Sequence, residues 1–198
     1  MKKALLSFAF LLGASLALVA GASGTELGQA YKPLSPADFP SLPANIKKEL
    51  DKMGCRIPQA YEAQPNNAVQ GEFARKGQKD WAVLCSKGGS SRLLIFWGGP
   101  AKCPDPGRVA ADQDFLQYQN DQKPGAADPR DPGSKLYFSR MIAVLEPENT
   151  KEQFAARGGQ KKLAPDHDGI EESIPLEQSS IVHYCANGRW AQAVYQGE

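Results

Sequence analysis

The N-terminal segment constrains this chain more than any other feature, because it has the layout of an export signal. Lys2 and Lys3 precede an apolar run over residues 4–20, and small residues follow at positions 20–22. A basic start, a short apolar core and a small-residue cleavage site are typical of a secretory signal peptide. The run spans about 17 residues, against the roughly 20 that a membrane-spanning helix needs. We therefore predict cleavage after Ala22 rather than a membrane anchor.

Export would deliver residues 23–198, which we expect to form a single domain, to the periplasm or the cell exterior. Disulfides form in such oxidising compartments, so the four cysteines predict two of them. The cysteines are Cys55, Cys85, Cys103 and Cys185. Three pairings exist; the sequence does not choose among them, and we favour Cys55–Cys85 with Cys103–Cys185. The first would tie a helix end to a strand, and the second would tether a proline-rich segment to the C-terminal strands. A zinc site is the alternative, but there is no Cys-x-x-Cys pair and only His183 lies near a cysteine.

The charge of the chain argues against some classes of partner. Its formal net charge is +1, from 23 basic and 22 acidic residues. A near-neutral chain without a long basic run lacks the electrostatic footprint of a nucleic-acid or anionic-membrane binder. We therefore expect a protein or an envelope ligand as partner, with no nucleic acid and no transmembrane segment after signal cleavage.

Hydrophobic periodicity predicts two or three short helices. The strongest signal covers residues 43–53, where apolar side chains recur at helical spacing and Gly54 offers a C-terminal stop. Ser35-Pro36-Ala37-Asp38 combines a cap, a proline at the first helical position and an acid, so it predicts one helical turn. Thr150-Lys151-Glu152-Gln153 has the spacing of a capping box that opens a helix ended by Gly158-Gly159.

Strand signals dominate the remainder of the chain. In the first half, apolar patterns predict strands over residues 68–75, 81–86 and 92–97. Residues 135–145 form a further candidate strand. Near the C-terminus, residues 180–185 and 189–194 flank Asn187-Gly188, a dipeptide typical of type I′ hairpin turns. We expect an α+β fold of mainly antiparallel strands, in which an N-terminal helix packs on a meander and the C-terminal hairpin completes the same sheet.

A proline- and glycine-rich segment interrupts this pattern at about residues 98–134. Within it, residues 109–118 have spacing that suits a short helix, and the rest is predicted as loop. Loops of this length either carry function or are simply mobile. We take this segment, with the acidic loop described next, as the predicted contact surface.

The strongest metal-site signal is the acidic segment Asp166-His167-Asp168-Gly169-Ile170-Glu171-Glu172. Calcium prefers several converging oxygens, and aspartates on a tight turn supply them. Asp166, Asp168 and Glu171 are therefore candidate calcium ligands, although the pattern is truncated relative to an EF-hand loop. It looks more like one unit of the aspartate-rich repeats of thrombospondin type 3 modules. The alternative, which we favour, is an Asx-turn whose aspartates bind loop amides, so no cofactor is expected and calcium is the metal to test.

A second local pattern runs from Val69-Gln70-Gly71-Glu72-Phe73 through Gly77 to Asp80-Trp81-Ala82-Val83-Leu84. It resembles the FG-GAP or VCBS-type repeat, a strand–turn–strand unit of bacterial surface proteins. The resemblance implies a hairpin, but the turn lacks the acids that bind calcium in that family, and one unit does not make a propeller. The chain as a whole also resembles uncharacterised exported bacterial proteins, a likeness that implies no activity.

No complete catalytic motif accompanies the export signal, so we expect no catalytic residue. His167 and His183 are the only histidines; His183 shares a strand face with apolar residues, which favours a structural role. We expect a non-catalytic exported binding or inhibitor module. The alternatives are a secreted hydrolase that uses Asp166, His167 or Glu171, and a structural module stabilised by calcium.

Overall fold

The computed structural model describes residues 33–60, 65–120, 123–126, 134–157, 163–174 and 177–196. The predicted signal peptide lies outside these residues. None of the helices in the described part is both long enough and apolar enough to cross a membrane. Antiparallel sheets dominate, with two α-helices and two disulfides, so the predicted α+β fold class is confirmed.

The first elements follow the capping signals of the sequence. One turn of 3-10 helix covers Pro36–Asp38, and Ser35 and Asp38 make both hydrogen bonds of a capping box. Helix α1, Ala44–Met53, comes next. It ends where Gly54 adopts a left-handed conformation (φ 72°), which a residue without a Cβ tolerates. Both predicted helix starts in this region are therefore confirmed.

The N-terminal sheet contains four antiparallel strands in chain order. They are β1 (Ala68–Gly71), β2 (Asp80–Lys87), β3 (Ser90–Phe96) and β4 (Val109–Ala111). Strand β2 is buried on both faces except at its last residue, as its apolar pattern predicts. Its Val83 packs against Leu50 of α1 on one face, and its Leu84 enters a second cluster on the other.

A smaller middle sheet follows inside the proline-rich segment and just beyond it. Its strands are β5 (Leu116–Asn120), β6 (Lys123–Ala126) and β7 (Ser134–Phe138), in the spatial order β6-β5-β7. The predicted helix over residues 109–118 is wrong. That stretch instead forms β4, a 3-10 turn at Asp112–Phe115 and the start of β5, because residues 109–111 pair with β3. Such a long-range pairing overrides the local helical spacing.

The C-terminal sheet holds the last four strands and the second helix. In chain order these are β8 (Met141–Leu145), α2 (Pro147–Ala156), β9 (Gly169–Ile174), β10 (Ser179–Ala186) and β11 (Arg189–Tyr195). The strands are antiparallel and lie in chain order. The predicted C-terminal hairpin is confirmed, with Asn187 and Gly188 at φ 51° and 74°, but it completes this separate sheet rather than the N-terminal one.

Four further boundaries differ from expectation. Residues 135–145 are two strands, because Ser139 binds the Phe115 carbonyl with both its N–H and its hydroxyl and the chain changes sheets there. Helix α2 starts at Pro147, so Thr150 lies inside it and donates its hydroxyl proton to Leu145 O instead of capping. Strand β1 ends at Gly71 rather than continuing to residue 75. The acidic segment becomes strand β9 from Gly169 onward. The predicted stop at Gly158-Gly159 lies outside the described residues.

The two large sheets pack face to face, and each carries a helix on its outer face. Helix α1 covers the N-terminal sheet through Ile46 and Leu50, and Phe154 of α2 covers the C-terminal sheet. Between the sheets, Leu84 and Leu93 meet Ile142 and Ile170. The packing therefore has four layers: α1, the N-terminal sheet, the C-terminal sheet and α2. Along the chain, a helix followed by three strands occurs twice, as α1 with β1–β3 and as α2 with β9–β11.

A buried asparagine joins the facing edges of the two large sheets. Asn67, which is 0% exposed, lies immediately before β1. Its side-chain amide donates to Arg140 O at 3.1 Å and its Oδ1 accepts the Ile142 amide proton at 2.9 Å. The Asn67 side chain thus makes the hydrogen bonds that a neighbouring strand would make to the Arg140 carbonyl and the Ile142 N–H. Leaving these buried backbone groups unpaired would cost stability.

The two disulfides link Cys55 to Cys85 and Cys103 to Cys185, the connectivity favoured in the sequence analysis. The first joins the end of α1 to β2. The second joins the segment after β3 to β10, and so connects the two halves of the chain.

Candidate functional site

A cleft of about 430 Å³ lies where the proline-rich segment approaches the acidic loop. Four short stretches of chain form it: the turn after β1, the segment after β3, the loop before β9 and the β10–β11 turn. Its lining residues are Ala74, Arg75, Pro100, Ala101, Lys102, Asp166, His167, Cys185, Asn187 and Gly188. The two regions that the sequence suggests as a contact surface are therefore neighbours in the fold.

The wall formed by residues 98–102 is fixed by a buried pair of polar side chains. Asp80 accepts the Gly98 amide proton at 2.8 Å, and Gln78 donates to Asp80 at 2.8 Å. The amide of Gln78 also pairs with the backbone of Ala101, donating to its carbonyl and accepting from its N–H. A Cβ at Gly98 would lie 1.9 Å from Lys79 O, so only glycine fits this approach.

The same wall is held to β10 and β11 by two further contacts. The Cys103–Cys185 disulfide anchors it at the floor of the cleft. Next to it, Trp190 Nε1 donates to Pro104 O at 2.7 Å, and the Trp190 ring stacks on Trp97 at 6.0 Å. Trp190 therefore supports the wall through a hydrogen bond and through its stacking on Trp97.

His167 forms the opposite wall, and both of its ring nitrogens are engaged. Nδ1 lies 2.6 Å from Asp166 Oδ1, and Nε2 lies 3.0 Å from Cys185 O. Its ring stacks on Tyr184 with centroids 4.4 Å apart. In this geometry neither ring nitrogen of His167 is free to accept a proton from a substrate. The Asp166 carboxylate remains 75% exposed, and its hydrogen bond with His167 lowers its pKa.

The other two predicted calcium ligands lie in separate environments. Asp168 accepts the Glu72 amide proton at 2.8 Å, which links the loop before β9 to the end of β1. Glu171 lies 3.6 Å from Arg157 Nη2. The residues described here contain no group of three or more His, Cys, Asp or Glu side chains placed to hold a metal ion. The calcium site stays a prediction.

The cleft rim carries charge of both signs. Arg75 and Lys102 are exposed on the sides contributed by the N-terminal half, and Asp166 is exposed on the side contributed by the C-terminal half. A partner that carries both an anionic and a cationic group would be complementary to this rim.

The segment that resembles an FG-GAP or VCBS repeat does form a strand–turn–strand unit. Strands β1 and β2 are antiparallel, and Glu72 lies where they open into the turn. Its carboxylate accepts the Gly77 amide proton at 2.8 Å and pairs with Lys79 at 2.9 Å. The Gly77 amide is the first cause of the lowered pKa of Glu72, followed by Lys79. Glu72 therefore binds its own turn.

A second polar cluster, which the sequence analysis did not find, is buried between the sheets beyond the cleft. Arg140 is 0% exposed; its Nε lies 3.0 Å from Glu172 Oε1 and its Nη1 donates to both oxygens of Ser91. His183 Nε2 lies 3.4 Å from Glu172 Oε2, and Gln192 donates to His183 Nδ1 at 3.0 Å. This buried charge cluster, Arg140–Glu172–His183, ties β8, β9 and β10 to β3.

The cluster holds Glu172 in its ionised form. Burial alone raises the pKa of Glu172, but the contact with His183 and the charges of Arg140 and Arg108 outweigh it and lower the pKa from 4.5 to about 2. A carboxyl with a lower pKa in the folded state stabilises that state above its unfolded pKa and loses this contribution as the pH falls. A shift of this size corresponds to roughly 3 kcal/mol.

We expect Glu172→Gln to flatten the acid side of the pH–stability curve. The wild-type free energy of unfolding should fall by roughly 3 kcal/mol from Glu172 alone between about pH 5 and pH 2, and the variant should lack this component. Urea unfolding at a series of pH values measures it. Glu171→Gln, on the other face of β9, is the matched control and should keep the acid loss. An unchanged acid loss in Glu172→Gln would contradict the assignment.

Comparisons with known proteins add no relative. A scan against protein-family models, a search of curated proteins and a search of solved structures each found no match to this chain.

Proposed function

We propose that this protein is an exported, non-catalytic binding or inhibitor module that acts in the periplasm or outside the cell. Its partner, a protein or an envelope ligand, docks in the cleft between residues 100–102 and the Asp166-His167 pair. The observation that carries the proposal is that buried hydrogen bonds and a disulfide hold one wall of the cleft, while the histidine of the other wall has both ring nitrogens engaged. Preformed clefts lose little entropy on binding, which favours affinity.

Export is supported by two independent features. The first is the signal-like N-terminal segment. The second is the pair of disulfides, since structural disulfides are rare in reducing compartments. The Cys103–Cys185 bond also anchors one wall of the cleft, so the oxidising compartment and the binding surface are linked in this proposal.

The proposal is tested by capturing partners from an envelope extract with wild-type protein and with a variant in which the two basic residues of the cleft rim are replaced by acidic ones. We expect wild-type mature protein to retain a discrete partner, and Arg75→Glu/Lys102→Glu to bind it about tenfold more weakly or worse, since charged rims steer and orient partners. Lys48→Glu, at an exposed position of α1 away from the cleft, is the control and should bind like wild type.

The contradicting outcomes are equally concrete. Equal capture by wild type and the cleft variant would place the binding surface elsewhere. Turnover of ester, glycoside or peptide substrates that is lost in His167→Ala but retained in Lys48→Glu would replace the proposal with the hydrolase hypothesis.

A further inference from the structure

The outer edge of strand β11 differs from the other edges of the two large sheets. Strands β1 and β8 face each other across Asn67, and β4 is only three residues long. Strand β11 spans seven residues, and among the described residues it pairs only with β10. Of these edges, β11 alone offers a long row of backbone groups for pairing.

Apart from Arg189 at its start, the sequence of this edge carries none of the usual protection against pairing. Natural edge strands are blunted by lysine, proline, inward charges or bulges. From Trp190 to Gln196 the chain has no charged residue, no proline and no glycine. Val194 and Tyr195 are 51% and 45% exposed, among the most exposed large apolar residues described. An unprotected apolar edge of this kind is a site for strand addition.

The hairpin register shows which backbone groups face outward. Ala186 pairs with Arg189 across the two-residue turn, so this is the first hydrogen-bonded pair of the hairpin. Hydrogen-bonded and non-hydrogen-bonded pairs alternate from there. The N–H and C=O groups of Trp190, Gln192 and Val194 therefore point away from β10.

We propose that β11 pairs antiparallel with β11 of a second copy of this chain across a two-fold axis at Gln192. The outward groups of the two strands then meet in one register, with about six main-chain hydrogen bonds. This pairing joins the two four-stranded C-terminal sheets into one continuous sheet.

Side-chain complementarity favours a second copy over an unrelated strand. In this register Trp190 lies opposite Val194 of the other copy, an aromatic–branched pair of the kind that stabilises sheets. Arg189 lies opposite Tyr195 of the other copy, whose ring already has the Arg157 guanidinium of its own chain over it at 5.5 Å, so we assign no stabilisation to this pair. Gln192 meets its own equivalent, and no like charges face each other. A two-fold contact requires such self-complementarity, and in this register the Trp190–Val194 pair, which occurs twice, supplies it.

Proline and aspartate substitutions at Val194 test the pairing. The Val194 N–H faces outward, so Val194→Pro should leave the fold intact and abolish the pairing. Val194→Asp places a charge beside Trp190 of the other copy and should weaken association at least tenfold. Val109→Asp, at a valine on β4 that is 60% exposed against 51% for Val194, is the control and should associate like wild type.

Sedimentation equilibrium over a concentration series, with amide hydrogen exchange, gives the readout. We expect a wild-type dimer whose Trp190, Gln192 and Val194 amides become protected as concentration rises. A wild-type chain that stays monomeric at every accessible concentration overturns the proposal. So does a dimer that survives both Val194 substitutions, or one whose protection lies outside β11.

Discussion

Removing the Cys103–Cys185 disulfide should destabilise the protein more than removing the Cys55–Cys85 disulfide. We expect Cys103→Ala/Cys185→Ala to lower the free energy of unfolding by about 4.5 kcal/mol, because the bond closes a loop with a sequence separation of 82 residues. In a chain of this size the melting temperature should fall by on the order of 10 °C. Chemical denaturation of oxidised protein measures the loss directly.

The other disulfide, Cys55–Cys85, supplies a matched control. Cys55 and Cys85 are as buried as the other pair, at 2% and 4% exposure, so truncation costs similar packing. Their sequence separation is 30, which predicts a loss of about 3.6 kcal/mol for Cys55→Ala/Cys85→Ala. Equal losses, or a larger loss for the shorter loop, would contradict the view that the longer bond holds the two halves together.

Replacing Arg140 with methionine should be the most damaging change at a single position. We expect Arg140→Met to cost about 3–5 kcal/mol at neutral pH, because it breaks a buried ion pair and removes the cation nearest to the Glu172 carboxylate. Ser91 loses its hydrogen-bond donor as well. Urea unfolding, followed by circular dichroism, measures the effect.

Two comparisons separate lost charge pairing from lost packing. The double variant Arg140→Met/Glu172→Gln should recover part of the loss, since no uncompensated carboxylate then remains buried. Arg92→Met, which breaks the exposed pair with Asp105, should cost about 1 kcal/mol or less. If the double variant loses more free energy of unfolding than its two single variants lose together, the buried charge cluster is contradicted.

Local signals in the sequence predict the parts of this fold that depend on neighbours along the chain. The Ser35 cap, the apolar face of α1 with its stop at Gly54 and the Asn187-Gly188 turn are all present as expected. Each depends on residues within a few positions, where steric and hydrogen-bonding preferences act directly.

Local sequence signals do not predict which distant strands pair with one another. Residues 135–145 look like one strand because both halves alternate, and only the contacts of Ser139 and Arg140 with other parts of the chain show the break. Strand β9 was hidden because Glu172 occupies an inward position where an apolar residue is the norm. A buried arginine partner, more than thirty residues away in sequence, is what makes that position tolerable.

The candidate site, too, could be predicted only in part from the sequence. The sequence analysis named the proline-rich segment and the acidic loop, and the fold brings them together at one cleft. It missed Gln78 and Asp80, which fix the wall, because a turn rich in polar residues gives no sign of a buried hydrogen-bond pair. Asp166, Asp168 and Glu171 each contact a different partner, and the calcium site that they were predicted to form stays a prediction.

Site-specific photo-cross-linking in intact cells tests most directly the claim that this is an exported binding module acting through the cleft. A photoreactive side chain would replace Lys102 in one variant, Asn187 in a second and Lys48 in a third. We predict that the two cleft positions, and not position 48, yield the same cross-linked partner in the envelope or exported fraction. Cross-links that are absent at both cleft positions, or that form equally well from position 48 or with cytosolic species, would contradict the account.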